Sequence, residues 1–265
     1  MWKEVIIIIY KTDINLRKQL FSMFGNTNNT IILSCLQGDM GTAWVDNLTT
    51  PTVAQVSVDI FVFYAWDPHA KATEELLLNL PKDILVIVNT NEWKNRIETF
   101  YKGSIEKFQR YAFKKNPEHL NYNHIQSFLS KLPEGYELKK IDTSLAQDPS
   151  FQSLSEDFTS QYISIDDYIN KGLGFCILHK GQVVCGASSY SVYDGGIEIE
   201  IDTHPDHRRK GLATVATSAL ILDCLHRGKY PSYDAANLES VALAQKLGYV
   251  LDKPYDTYYI HSKEN

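Results

Sequence analysis

The sequence predicts an α/β (α+β) protein built as two domains. Short β-branched runs alternate with stretches of helical period along the whole chain. The length, 265 residues, exceeds the roughly 100–200 residues of one ordinary domain. A joint spanning residues 116–133 separates two such series, so the expected domains are residues 1–132 and 133–265.

Apolar residues make up 44% and charged residues 22%, a globular composition that excludes disorder as the main state. The net charge of −6 argues against nucleic acid as a partner. No two of Cys35, Cys176, Cys185 and Cys224 stand at C-x-x-C spacing, which argues against a zinc knuckle or redox pair, and no metal is expected. The cysteines read as buried free thiols in a reducing compartment, the cytoplasm. The apolar run at residues 5–9 is shorter than a signal h-region of roughly 7–15 residues. No stretch approaches the roughly 20 apolar residues of a membrane span.

In the first series, residues 15–24 read as a helix stopped by Gly25 and Asn26. Residues 30–36 and 41–45 read as strands, and 53–64 as one long alternating strand. A helix at 70–80, a strand at 84–88, a helix at 92–101 and a strand at 108–113 follow. Asn123 is read as the cap of a helix over 124–132.

The second series opens with a strand at 136–141 and helices at 151–162 and 165–171, the latter capped by Ser164. Strands at 174–178, 183–190 and 197–202 are joined by the turns at Lys180-Gly181 and Asp194-Gly195. A loop leads to a helix from about Lys210 to His226. An extended piece at 231–235, a helix capped by Asn237 and ended by Gly248, and strands at 249–251 and 255–261 complete it. Residues 30–102 and 174–248 share one predicted order: three strands, helix, strand, helix. A degenerate internal repeat is one reading of that order; two unrelated domains is the other.

One segment carries chemistry. The strand Ile197-Glu198-Ile199-Glu200-Ile201-Asp202 runs into Arg208-Arg209-Lys210-Gly211-Leu212-Ala213 at a helix start. The first turn of a helix has N–H groups without partners, and its dipole is positive there, which suits an anion. Three consecutive cations oppose that dipole, so something anionic should offset them. Gly211 lets the backbone approach a ligand closely. The spacing is neither a P-loop nor a G-x-G-x-x-G fingerprint. Glu198 and Glu200, two apart on a strand, share a face. A carboxylate in a low-dielectric cleft can act as general base, or it can hold a cationic substrate.

The pattern Arg208-x-x-Gly211-x-Ala213 resembles the acyl-CoA pyrophosphate loop of the GNAT superfamily of N-acetyltransferases. Ile201-Asp202-Thr203-His204-Pro205 before it, and Asn237 with Leu247-Gly248-Tyr249 after it, extend the resemblance over residues 136–261. The long N-terminal half and the Thr203-His204-Pro205 wording look like the zwittermicin-resistance-type group.

The resemblance implies a GNAT fold in the C-terminal half, with a possibly GNAT-like domain in front. It implies acetyl-CoA as co-substrate, its pyrophosphate on the amides of Arg209, Lys210, Gly211, Leu212 and Ala213. The pantetheine arm would lie along Ile201, Asp202 and Thr203, near Asn237 and Ser240. Glu198 matches the position that often holds the base, and Glu200 lies nearer the expected thioester. The tyrosine that many relatives carry in the last helix is Ala244 here. The expected function is transfer of acetyl to a primary amine of a small cationic acceptor. The alternative is a non-catalytic acyl-CoA-binding regulatory protein. No nucleic acid or membrane partner is expected, and homo-oligomerisation is open.

Overall fold

The computed structural model describes residues 7–25, 27–81 and 83–261. Residues 5 and 6 of the N-terminal apolar run and the Asn26 stop lie outside the described residues. The elements begin β1 (Tyr10–Lys11), α1 (Ile14–Gln19), α2 (Thr30–Gln37), β2 (Thr42–Val45), β3 (Val53–Val58) and β4 (Phe61–Trp66). They continue with α3 (Thr73–Leu78), β5 (Ile84–Ile87), α4 (Asn91–Phe100), β6 (Ile105–Phe113), α5 (Tyr122–Gln126) and β7 (Tyr136–Lys140). Next come α6 (Thr143–Ala146), α7 (Pro149–Leu154), α8 (Ile165–Lys171), β8 (Gly174–His179), β9 (Gln182–Tyr193) and β10 (Gly196–Thr203). The last are α9 (Leu212–His226), β11 (Tyr230–Ser232), β12 (Asp234–Ala235), α10 (Leu238–Leu247) and β13 (Leu251–Ile260). The chain has the mixed α/β fold that the sequence predicts.

Contacts divide the chain into residues 1–109 with 256–265, and residues 110–255. Residue 132, the line read from the sequence, falls inside the second unit. In the first unit β2, β3 and β4 pair antiparallel and β4 pairs parallel with β5. Its core gathers Val53, Val62, Tyr64, Leu76, Val86, Trp93 and Ile97. Trp93 stacks on Tyr64 at 5.0 Å and donates its indole N–H to the Trp66 carbonyl at 2.9 Å.

Two elements of this unit differ from the sequence reading. Residues 30–36, expected as a strand, lie in helix α2. The Asn29 side chain accepts from the Ile31 and Ile32 N–H groups, and Gly38 ends the helix at a φ of 92°. Cap and stop outweigh the β-branched residues between them. The single strand expected at 53–64 is a hairpin, because Asp59 takes a φ of 49° and Val58 pairs with Phe61. Aspartate tolerates that conformation, which apolar alternation does not reveal.

In the second unit the sheet order is β11-β10-β9-β8-β7. β7 to β10 are antiparallel neighbours, and β10 pairs parallel with β11. Helix α9 is apolar all round and mostly buried, as a helix enclosed by its unit must be. Ser164 and Asn237 cap α8 and α10 as expected. The helix expected at 124–132 shortens to Tyr122–Gln126 with Asn121 as cap, because Asn121 accepts from the His124 N–H at 2.9 Å. The helix expected at 151–162 breaks after Leu154, where Ser155 is extended. α9 begins at Leu212 rather than Lys210, since Gly211 is left-handed. The two closing strands are one, β13.

The runs β2–β3–β4–α3–β5–α4 and β8–β9–β10–α9–β11–β12–α10 share their order except for β12, the two-residue strand that the second run adds before its last helix. Each has two antiparallel pairings and then a parallel one.

Gly196 starts the parallel pairing of β10 with β11. A Cβ there would stand 2.0 Å from the Tyr230 carbonyl oxygen, a backbone atom that cannot swing aside. Gly196→Ala should lower stability by about 1–3 kcal/mol, the usual cost of overpacking. Urea unfolding checks this, and an unchanged midpoint would contradict the packing.

Candidate functional site

β10 and β11 pair over three rungs, Gly196 with Tyr230, Ile197 with Pro231 and Glu198 with Ser232. Beyond Ser232 the chain leaves this sheet, and β12 pairs with β6 through Asp234–Ala112 and Ala235–Tyr111. The edge of β10 from Ile199 to Thr203 therefore parts from the strand that had flanked it. A β-bulge between β9 and β10 falls at the same level, between Glu198 and Ile199. The opening exposes the polar backbone edge of β10, where an extended ligand can form strand-like hydrogen bonds.

β10 leads to the loop before α9. Arg209 and Gly211 both take left-handed conformations, with φ of 64° and 82°. No side chain caps α9, and a Cβ on Gly211 would meet nothing within 4 Å. The glycine therefore serves backbone conformation and open approach. The three cations have different contacts. Arg208 donates to the Thr203 carbonyl at 3.1 Å, and Lys210 to the Asp206 carbonyl at 3.0 Å and the Tyr136 hydroxyl at 3.2 Å. Arg209 is 87% exposed and lies 3.5 Å from Glu239. Thr203 donates its hydroxyl to Cys185, and the Asp202 carboxylate accepts the Thr203 N–H at 2.6 Å.

Glu198 is buried and Glu200 half-buried on β10. Burial, more than any other cause, pushes the Glu200 carboxyl up to about 8. Asp157 and Asp202 add to the rise, while Arg110 and the Ile201 N–H oppose it. Arg110 itself donates to Asp234 at 2.7 Å, and Tyr255 donates to the other oxygen of that carboxylate at 2.7 Å. Burial holds the Lys115 ammonium below its usual range, against the pull of Glu198 and Asp234. Arg110, Lys115, Asp157 and Asp234 were not singled out in the sequence. Each interacts with groups far from it in sequence, so no local spacing marks them.

On α10, Asn237 accepts the Ser240 N–H at 2.9 Å. The Ser240 hydroxyl meets that of Tyr233 at 3.0 Å. Tyr249 donates to the Pro231 carbonyl at 2.6 Å and is buried. Ala244 is fully buried, so a side chain the size of tyrosine has no room there without repacking.

The corresponding connection in the first unit, residues 67–72, is built differently. Asp67 uses its carboxylate on the His69 N–H at 2.8 Å. Glu74 and Glu75 occupy the first turn of α3. Those charges repel an anion where the second unit presents open amides. Among the described residues, no group of three or more His, Cys, Asp or Glu side chains is placed to hold a metal. No helix among them is long and apolar enough to cross a membrane.

A family model described as GNAT acetyltransferase matches residues 21–258. A protein of Bacillus subtilis (strain 168), "Uncharacterized N-acetyltransferase YdfB", is 29% identical over 185 residues, which are 67% of this chain and 66% of the relative. The crystal structure of a GCN5-related N-acetyltransferase-like protein from Streptococcus suis 89/1591 has a TM-score of 0.85 at 39% identity, covering 93% of this chain and 99% of that one. A tandem GNAT protein from the clavulanic acid biosynthesis pathway shares the fold, with a TM-score of 0.57 at 9% identity, over 97% of this chain and all (100%) of the other.

The raised Glu200 carboxyl has a thermodynamic signature. Its ordinary value is 4.5 and its folded value about 8, so between these the folded protein keeps a proton that the unfolded chain has released. Stability from this group is full below pH 4.5 and lost as pH rises through about 8. Glu200→Gln cannot ionise. Its melting temperature relative to the native chain should climb between pH 5 and 8.5 by a few degrees, at roughly 2–4 °C per kcal/mol. A flat difference over that range would contradict the burial of this carboxyl.

Proposed function

We propose that this N-acetyltransferase, which belongs to the GNAT acetyltransferase family, moves acetyl from acetyl-CoA to a primary amine of a small cationic acceptor. The observation that carries the reading is the parting of β10 from the next strand above a helix start that no side chain caps. Acetyl-CoA fits the residues present, because the open space over Gly211 leaves a backbone cradle that any Cβ would begin to fill. The amides of Arg209, Lys210, Gly211, Leu212 and Ala213 would hold its pyrophosphate. Ile201, Asp202 and Thr203 would hold the pantetheine arm, with Asn237 and Ser240 beside it. When bound, the co-substrate supplies an acyl carbon activated as a thioester.

The chain's residues then handle charge and protons. Glu198, Glu200, Asp157 and Asp202 attract an ammonium. Glu200 takes the proton from the amine, since a carboxyl near pH 8 is a far stronger base than an exposed one. Arg110 restrains the rise of Glu200, and so keeps its ionised form accessible near neutral pH. Glu198, more deeply placed, contributes charge to the acceptor end of the opening.

In this reading residues 110–255, rather than the 133–265 read from the sequence, serve as the acetyltransferase domain, and residues 1–109 with 256–265 as an α/β domain of GNAT-like descent. The shared order and strand senses of the two runs support it, as does the likeness to a tandem GNAT protein. The resemblance to the zwittermicin-resistance-type group rests on Thr203-His204-Pro205 and the long N-terminal half. The four cysteines are free and buried, which supports a reducing, cytoplasmic setting.

The test follows thiol release from acetyl-CoA across a panel of primary amines. Turnover is expected, with kcat/KM rising through an inflection near pH 8, the value to which Glu200 is raised. Glu200→Gln should remove the inflection and cost about 10²–10⁴ in rate. Gly211→Asp should weaken CoA binding at least ~10-fold, since one charge-assisted contact is worth roughly 1.5–3 kcal/mol. CoA binding without thiol release from any amine would instead favour the non-catalytic acyl-CoA-binding regulatory protein, the reading that the buried Ala244 supports.

A further inference from the structure

Lys210 stands in the basic run, yet its ammonium is turned back onto the protein. It donates to the Asp206 carbonyl at 3.0 Å and the Tyr136 hydroxyl at 3.2 Å. The Tyr136 hydroxyl lies 2.9 Å from His207 Nδ1. An ammonium can only donate, so the Tyr136 oxygen accepts from Lys210 and keeps its own O–H free to donate to His207 Nδ1. That pairing needs the neutral His207 ring with its hydrogen on the other ring nitrogen. His179 stacks on Tyr136 at 4.6 Å and uses its own Nδ1 on the Gly135 carbonyl at 3.1 Å, which fixes the ring from behind.

We propose that Tyr136 and His207 are positioning residues that brace the anion loop through Lys210, and that protonation of His207 releases the brace. The first residue of β7 thereby ties down a loop that follows β10, three strands away in the sheet order β10-β9-β8-β7. Arg209 and Gly211, the two left-handed positions, flank Lys210 directly. A loop so held keeps its amides in place before a ligand arrives, which lowers the ordering cost of binding.

The groups facing His207 are Tyr136 from β7, His179 from β8, and His204, Asp206 and Lys210 from its own loop, and all of the charged ones but Asp206 favour its neutral form. Burial lowers the His207 pKa from its ordinary 6.5, and Lys210, His179 and His204 lower it further, while Asp206 opposes them. Below that range His207 gains a proton on Nδ1, the Tyr136 O–H loses its acceptor, and two cations converge on one phenolic oxygen. The brace is then lost.

This inference rests on the reading of the loop as the CoA pyrophosphate site. Its test is calorimetry of CoA on the full chain and on Tyr136→Phe, from pH 5 to 8. CoA carries its own titrating phosphate, so the readout is the gap between the two proteins. Tyr136→Phe should bind about 3–10-fold more weakly at pH 8, the worth of a neutral to charge-assisted hydrogen bond. The gap should close as pH falls through the native chain's own His207 titration, followed by proton NMR, because the same contact is then lost. By proton NMR without ligand, His207 should titrate at higher pH in Tyr136→Phe, because the donor that favours the neutral ring is gone. A native chain that binds CoA, with a variant that matches it at pH 8, would overturn the inference alone. A gap that stays constant across that titration would also overturn it, since Tyr136 would then act by packing only. A native chain that binds no CoA would overturn the reading and the inference together.

Discussion

The site depends on a change of partner along one strand. Up to Ser232 the chain pairs with β10, and from Asp234 it pairs with β6. Backbone groups that lose a neighbour in a sheet must find other partners or face water. The free edge of β10 is therefore a cost to the fold and, in the proposed reading, the place where an extended ligand pairs. Gly196 allows the close parallel rungs that precede the parting, and the β9–β10 register shifts between Glu198 and Ile199, where the parting begins, with Tyr190 of β9 as the extra residue. Gly211 then turns the chain so that α9 starts with open amides beyond the end of that edge.

Charge follows the same geometry. The carboxylates on β10 alternate with Ile197, Ile199 and Ile201, of which Ile197 and Ile199 are buried in the core. Burying several carboxylates together is unfavourable, and the strain is relieved in two ways. Glu200 holds its proton more tightly, and Arg110 supplies a fixed positive charge that it shares with Asp234. In the proposed reading, an acceptor bearing an ammonium would relieve the same strain, and its binding would be coupled to the ionisation of Glu200.

What was legible in the sequence was local. The Arg208-x-x-Gly211-x-Ala213 spacing, the Asn237 cap and the alternation of Glu198 and Glu200 each lie within one turn or one strand, where a few residues decide the geometry. Helix α2 was illegible because its β-branched interior points to a strand, while Asn29 and Gly38 outside it decide otherwise. The 53–64 hairpin was illegible because Asp59 turns the chain without interrupting the apolar pattern on either side. Arg110, Asp157, Lys115 and Tyr136 could not be read, since they reach the site through tertiary contact. Ala244 was noticed as a departure, and the structure adds that its position is fully packed.

The central claim is that the opened edge of β10 and the start of α9 form the CoA site. Hydrogen–deuterium exchange on the full chain, with and without CoA, tests it most directly. The account predicts slowed amide exchange at residues 201–203 and 209–213, with residues 67–72 unchanged. Protection at 67–72, or none at 209–213 under saturating CoA, would contradict it.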